Sequence, residues 1–361
     1  MSVNAPNAAN DTRSPYAAPM RVLRTWKALL RVTGKVTMAT AAVPSHDCVL
    51  FCIQNGCLWL RTTYGFGNGS DGIWGTLAPA GKYGRATRSE TDTNEGRMKA
   101  QYETLKLERI DEHLLVVTLN RPHAGNSTNT QMGRDFLDLW TGLYIDQEGI
   151  RCIILTGAGD RIFAAGGDLK ERNEMTNEQW MMQHNLFERA RQSLMQCPIP
   201  IICAVNGAAR GGGTETALSC DFIFAAERAT FALTEVKLGI MPGGMGTQNL
   251  PRAVGVRRAK QIILTGEPFT AQEAYEWGMV NKVCKNDELM NDVLAVARTM
   301  CENAPLSIYQ AKKSINISTQ VDLFNGFAFE IEAYNRLVGT EDRLEGVRAF
   351  NEKRKAAFKG R

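Results

Sequence analysis

Asn206-Gly-Ala-Ala-Arg-Gly-Gly-Gly-Thr-Glu215 decides how this chain is read. An apolar run, Pro200-Ile-Ile-Cys-Ala-Val205, leads into it and stops at Asn206-Gly207, as a buried strand stops at a turn. The glycines Gly211 to Gly213 follow, and Thr214, Glu215 and Leu218 then open a helix. Glycine lets backbone approach a ligand closely and leaves amide N–H groups free to donate. A helix amino terminus adds unpaired donors and a positive dipole end, suited to an anion or a developing oxyanion. Further on, Glu235-Val-Lys-Leu-Gly-Ile-Met-Pro-Gly-Gly244 again joins a carboxylate to a glycine-rich turn. Two carboxylates beside such turns can supply a proton donor and a proton acceptor next to a bound carbonyl. Each feature alone has a plainer explanation. A Gly-rich turn is a packing device, Glu215 a first-turn acid favoured by the helix dipole, and Glu235 a solvated loop residue.

Working outward, the same strand-then-glycine pattern recurs. Cys152-Ile-Ile-Leu-Thr156 reads as a short buried strand, and Phe163-Ala-Ala-Gly-Gly167-Asp168 is the loop beyond it. Leu115-Val-Val-Thr-Leu119 is a strand ended by Asn120-Arg121-Pro122, and Met132, Phe136, Leu139, Trp140 and Leu143 recur at helical spacing. Thr176 with Gln179 makes a capping box that opens a helix through about Met195. After Gly246 the pattern turns mainly helical. Thr270 and Glu273 form a second capping box, Gly278 is a helix stop, and Asn286 to Met300 is amphipathic. The fold class is α/β, with an α/β core over 98–290 and a helical carboxyl-terminal part over 291–361.

Composition fits a globular protein: 361 residues, 44% hydrophobic and 22% charged. No apolar run approaches the roughly 18–20 residues that span a bilayer. Nine scattered cysteines, an odd number without a framework spacing, favour a reduced setting, so a cytoplasmic location is expected. Residues 1–97 hold 11 Lys+Arg against 6 Asp+Glu, leaving 31 and 32 in the remainder. The near-neutral body does not suggest a broad nucleic-acid surface.

The composition shifts near Met98. Upstream residues show no sustained period of 3.6 or 2, and 1–97 reads as a poorly structured extension. Within it, Arg21, Arg24, Lys27, Arg31 and Lys35 alternate with Leu23, Trp26, Leu29, Leu30 and Val32. That pattern fits a transit segment, which would make the location mitochondrial. The favoured alternative is that Met98 is the natural start. His46, Cys48, Cys52 and Cys57 can be written as a zinc set, but their spacing matches no paired Cys-x2-Cys knuckle, and no metal site is expected.

Over roughly residues 103–361 the chain resembles the crotonase (enoyl-CoA hydratase/isomerase) superfamily. The carrying residues are Phe163-Ala-Ala-Gly-Gly-Asp-Leu-Lys-Glu171, Asn206 through Glu215, Cys220-Asp221, and Glu235 through Pro242-Gly-Gly-Met-Gly-Thr-Gln248. The resemblance implies a crotonase-like spiral of ββα units and a homotrimer or hexamer. It also implies an acyl-CoA thioester substrate, with coenzyme A as part of the substrate and no separate cofactor. Having both glutamates looks like the hydratase subgroup. By resemblance, Gly167 and Gly212 supply the two backbone N–H groups of an oxyanion hole. Glu215 activates water for addition at C3, and Glu235 exchanges the proton at C2. The substrate-binding positions carried over are Ala124, Ala165, Gly166, Asp168, Leu169, Lys170, Gly211, Pro242 and Gly243.

Some residues depart from the family pattern. Ser127 and Thr128 stand where small apolar and leucine residues are usual, Arg210 is uncommon before the triple glycine, and Met245 occupies a position often held by glycine. One of Lys353, Arg354 or Lys355 in the last helix could meet CoA phosphates. Competing readings are a methylglutaconyl-CoA-type hydratase with Arg210 facing the second carboxylate, a Δ3-Δ2 enoyl-CoA isomerase using Glu235 alone, and a catalytically silent RNA-binding relative.

Overall fold

A computed structural model describes residues 98–361 together with the backbone of β1 (Cys48–Ile53) and β2 (Gly56–Arg61). The chain divides into two units, Met1–Ala86 and Thr87–Arg361. In the first, β1 and β2 pair as an antiparallel hairpin. The basic stretch at 20–43 and the side chains of His46, Cys48, Cys52 and Cys57 lie outside the described residues.

In the second unit, β3 (Leu105–Arg109) and β4 (Leu114–Leu119) lead to helix α1 (Thr130–Ile145). Two strand pairs follow, β5 (Cys152–Gly157) with β6 (Ile162–Ala164), then β7 (Ile201–Val205) with β8 (Ala208–Arg210). Between them run the short α2 (Leu169–Arg172) and the long α3 (Asn177–Gln196). After β8 comes α4 (Gly212–Leu218), and then the strand pair β9 (Phe222–Ala226) and β10 (Thr230–Ala232). A 3₁₀ turn (Glu235–Leu238), α5 (Gly246–Val254) and α6 (Val256–Thr265) continue the chain. The strands end with β11 (Phe269–Thr270) and β12 (Lys282–Cys284), separated by α7 (Ala271–Glu276). The carboxyl-terminal part is α8 (Leu289–Cys301), α9 (Pro305–Ser318), α10 (Leu323–Val338) and α11 (Glu341–Asn351).

Six strands form one sheet in the order β12-β9-β7-β5-β4-β3, and four form a second in the order β11-β10-β8-β6. Each sheet is mixed, with an antiparallel pair at one edge, β3/β4 in the larger and β10/β11 in the smaller. The first strand of each pair (β5, β7, β9) joins the large sheet, and the second (β6, β8, β10) joins the small one. Both series advance in the same order, so the chain winds as a spiral whose turns each deliver a strand to both sheets. This is the expected α/β spiral.

Every residue of β5 and β7 is buried, which explains why they read as unbroken apolar runs. On one face α1 seats Leu139, Trp140 and Leu143, all fully buried; on the other α8 covers Ile154 and Ile202 with Val293 and Ala297. Each large side chain so buried contributes about 1.5–3 kcal/mol. Both expected capping boxes are present, at Thr176/Gln179 and Thr270/Glu273.

Asp221 joins the carboxyl-terminal helices to the sheet. Its Oδ2 accepts from Ile201 N at 2.6 Å and from Lys312 Nζ, on α9, at 2.7 Å. Helices α10 and α11 leave Leu323, Phe324 and Phe350 more than 80% exposed. No described helix is long and apolar enough to cross a membrane.

Candidate active site

Three loops at the strand–helix junctions meet around one cleft of about 440 Å³. The first runs from Ala165 to Asp168. Gly166 has φ of 90°, and a Cβ there would lie 2.8 Å from the Arg210 carbonyl oxygen and 3.1 Å from Gly212 N, so only glycine lets the first two loops touch. Thr128 clamps this loop from outside: its amide donates to Gly166 O at 2.7 Å and its carbonyl accepts from Asp168 N at 2.9 Å. That bonding uses the Gly166 carbonyl and the Asp168 amide and leaves the Gly167 N–H aside.

The second loop is Gly211–Gly213. Helix α4 begins there with no side-chain cap. Gly212 is its first residue, whose N–H has no acceptor within the helix. A Cβ on Gly212 would lie 3.7 Å from Gly167 N, so the two glycines face each other across the cleft floor. Gly213 packs α4 directly on β6, where a Cβ would fall within 3.0 Å of Ala164 backbone and side-chain atoms alike.

Glu215 sits in the first turn of α4 and is buried. Its Oε1 accepts from Gly244 N at 2.8 Å and from Gly246 N at 2.9 Å, both in the third loop. Met245, between those donors, has φ of 74°, left-handed backbone that lets neighbouring amides point the same way. Its backbone conformation therefore shapes the grip on Glu215, beyond the space-filling its side chain suggests. Glu235 starts the 3₁₀ turn after β10 and is also buried. A Cβ on Gly211 would meet Glu235 Oε1 at 3.0 Å, and Glu235 Oε2 has no hydrogen-bond partner. Burial, joined by the charge of Glu215, pushes the Glu235 carboxyl up to about 7 against the opposing effects of its own backbone amide and Arg191.

Of the candidate residues, Ala165, Gly166, Gly167, Leu169, Gly211, Gly212, Glu215, Glu235 and Gly243 line the cleft. Ala124, Asp168, Lys170 and Pro242 do not. Asp168 serves the fold: it caps α2 and pairs with Arg121 at 2.9 Å. Its carboxyl is held below the usual range by Arg121 and a backbone amide, against the opposing pull of burial. Pro242 is buried behind the loop, and Thr128 does form part of the cleft wall.

Arg210 is excluded from the cleft. Its guanidinium donates to Ala209 O at 3.0 Å and to Thr230 O and Thr230 Oγ1, each at 2.8 Å, so it ties β8 to β10 and cannot face a substrate. Of the tail residues, Arg354 is paired with Glu345 and Glu352, and Lys355 with Glu302.

The wall that sequence reading missed is α3. Trp180, His184, Phe187 and Arg191 fall at helical spacing on one face and all line the cleft. A Cβ on Gly243 would lie 2.7 Å from His184 Cε1, so helix and third loop close on each other. Among the described residues no cluster of His, Cys, Asp and Glu is arranged to hold a metal ion.

Comparison with known proteins agrees with this architecture. The family model for enoyl-CoA hydratase/isomerase matches residues 109–361. A short-chain-enoyl-CoA hydratase of Clostridium acetobutylicum is 41% identical over 247 residues, covering 68% of this chain and 94% of the relative. The mitochondrial enoyl-CoA hydratase of Pongo abelii is 37% identical over 68% of this chain and 83% of its own. The crystal structure of an enoyl-CoA hydratase from Bacillus anthracis superposes with a TM-score of 0.70 at 40% identity, covering 72% of this chain and 100% of that one. The chain belongs to the enoyl-CoA hydratase/isomerase family, the crotonase superfamily.

Proposed function

We propose that the chain is an enoyl-CoA hydratase, a hydro-lyase that adds water reversibly to a trans-2-enoyl-CoA to give the 3-hydroxyacyl-CoA. Residues 98–361 form the catalytic domain in this reading. The Gly167 and Gly212 amides hold the thioester oxygen, which gains negative charge as C2 and C3 react. Such donors act at the developing charge, each worth roughly 10²–10³ in rate. Glu215, fixed by two amides through one oxygen, takes a proton from water as its oxygen bonds to C3. Glu235 delivers the proton to C2. A carboxyl with a pKa of about 7 is suited to that donor role near neutral pH.

The observation that carries the reading is the convergence of Glu215, Glu235, Gly167 and Gly212 on one cleft. Isomerisation of a 3-enoyl-CoA needs only one of the acids, and the deliberate fixing of Glu215 favours hydration. Assay of crotonyl-CoA hydration beside 3-enoyl-CoA isomerisation separates the two. Isomerase turnover without hydration would remove the proposal. A homotrimer or hexamer accompanies it, supported by the apolar faces of α10 and α11 around Phe324 and Phe350.

A further inference from the structure

Arg191 is the odd residue of the cleft. It projects from α3 beside Phe187, on a face that also presents Trp180, His184 and Glu188, the last with its Oε1 3.0 Å from His184 Nε2, and reaches the floor where the second and third loops meet. Among the described residues its guanidinium makes one hydrogen bond, from Nη1 to Gly212 O at 3.2 Å, and no ion pair. Its Nε is sealed from solvent and has no partner. Burial lowers its pKa, while the charges of Glu215 and Glu235 raise it. Holding a half-buried guanidinium without a paired anion is costly, and Arg presents five donors of which only one is used here.

Neither neighbouring cation nor neighbouring acid explains this arrangement. Arg172, the other cleft arginine, stacks on Trp180 at 4.4 Å and donates Nε to Gln183 Oε1 at 2.8 Å, so it is engaged. Glu215 comes close: a Cβ on Gly244 would touch Glu215 Oε2 at 2.6 Å and Arg191 Nε and Cζ at 2.8 Å. Yet Glu215 is turned to the Gly244 and Gly246 amides instead of pairing with the guanidinium. The planar fork therefore stands beside the reacting end of the cleft with donors to spare.

We propose that Arg191 binds a carboxylate carried by the acyl chain, so that the preferred substrate is a short 2-enoyl-CoA with its own acid group. This deepens the hydratase reading and rests on it. Because Arg191 contacts Gly212, which is also assigned to the thioester, the recognised group lies within a few carbons of the double bond. A long unsubstituted chain would bury its methylenes against a charge. Hydrogen bonds to a charged group of this kind distinguish ligands by about tenfold to a hundredfold.

The test compares chains of equal length. Purified full-length protein is assayed with glutaconyl-CoA, which has a terminal carboxylate, and trans-2-pentenoyl-CoA, which has none. Wild type is expected to favour glutaconyl-CoA at least tenfold in kcat/KM. Arg191→Met should abolish the preference, chiefly through KM for the acid, and Arg191→Lys should restore part of it. Calorimetric binding of glutaryl-CoA against valeryl-CoA gives the same comparison without turnover, with the acid at least tenfold tighter. Pentenoyl-CoA hydrated as well as glutaconyl-CoA by wild type, or equal binding of the saturated pair, overturns the role of Arg191 while leaving the hydratase reading intact. Absence of all hydration, with glutaryl-CoA still bound more tightly, strikes the hydratase reading and leaves the carboxylate site standing.

Discussion

The Gly244 amide donates to Glu215 Oε1 at 2.8 Å across a sequence separation of 29 residues. One carboxylate oxygen is thereby committed to the protein and the other kept for the cleft. Glu215→Gln should lower crotonyl-CoA hydration by at least about tenfold and by as much as about 10⁴, the range for a positioned acid or base. Glu235→Gln should fall in the same range. Steady-state hydration rates check both, and near-full activity in either variant defeats the two-carboxylate mechanism.

Glu235 carries a pH signature. With a folded pKa of about 7 against 4.5 for the ordinary carboxyl, the folded state binds more protons than the unfolded one between those values. Stability contributed by this group is therefore full below pH 4.5 and declines as pH rises through about 7. Allowing for solvent screening, about 1–2 kcal/mol is at stake. Denaturant titrations at acid and mildly alkaline pH should show Glu235→Gln gaining on wild type as pH rises. Hydration kcat/KM of the wild type should decline above the same pKa, as the proton donor ionises.

Gly166→Ala should damage both fold and activity. The new Cβ meets the Arg210 carbonyl at 2.8 Å in backbone that L side chains rarely adopt. A loss of about 1–3 kcal/mol is expected from strain alone, together with a large fall in turnover as the two amide-bearing loops separate. A variant with wild-type melting and wild-type rate would show that the close approach is not needed.

Met245→Gly should move stability the other way. Left-handed backbone costs a non-glycine residue about 1 kcal/mol, and glycine at 245 relieves that cost while keeping the Gly244 and Gly246 donors in place. Thermal melting should rise or hold. A marked fall would mean that the Met245 side chain contributes more than its backbone strain removes.

Asp221→Asn should loosen the carboxyl-terminal helices, because it leaves Lys312, only 10% exposed in its side chain, without its anion. Breaking such a pair costs about 3–5 kcal/mol when fully buried, and somewhat less here. Hydrogen exchange in α9 should accelerate more than in β5.

The fold was legible in the sequence where local rules act alone. Buried strands at 152–156 and 200–205, both capping boxes and the glycine turns depend on nearest neighbours, and each appears within a residue or two of its expected limits. Arg210 and Arg191 show where that legibility stops. Arg210 stands beside the glycine run yet binds Thr230, a partner fixed by the pairing of β8 with β10. Arg191 lies in a helix whose inward stripe looks the same whether it faces a core or a cleft. A charged residue on that stripe is the one local signal that the face is not simply core. The Glu215 clamp was hidden for the same reason, since its donors come from a loop placed only by the winding of the chain.

That winding has an evolutionary corollary. Because β5 to β10 deal alternately to two sheets, adding or deleting a residue inside one of these strands would turn its remaining side chains to the wrong face, whereas an exposed connecting turn absorbs the change locally. Changes of length inside β5 to β10 should thus be rare among functional descendants, and those that survive should gather in the exposed turns between them.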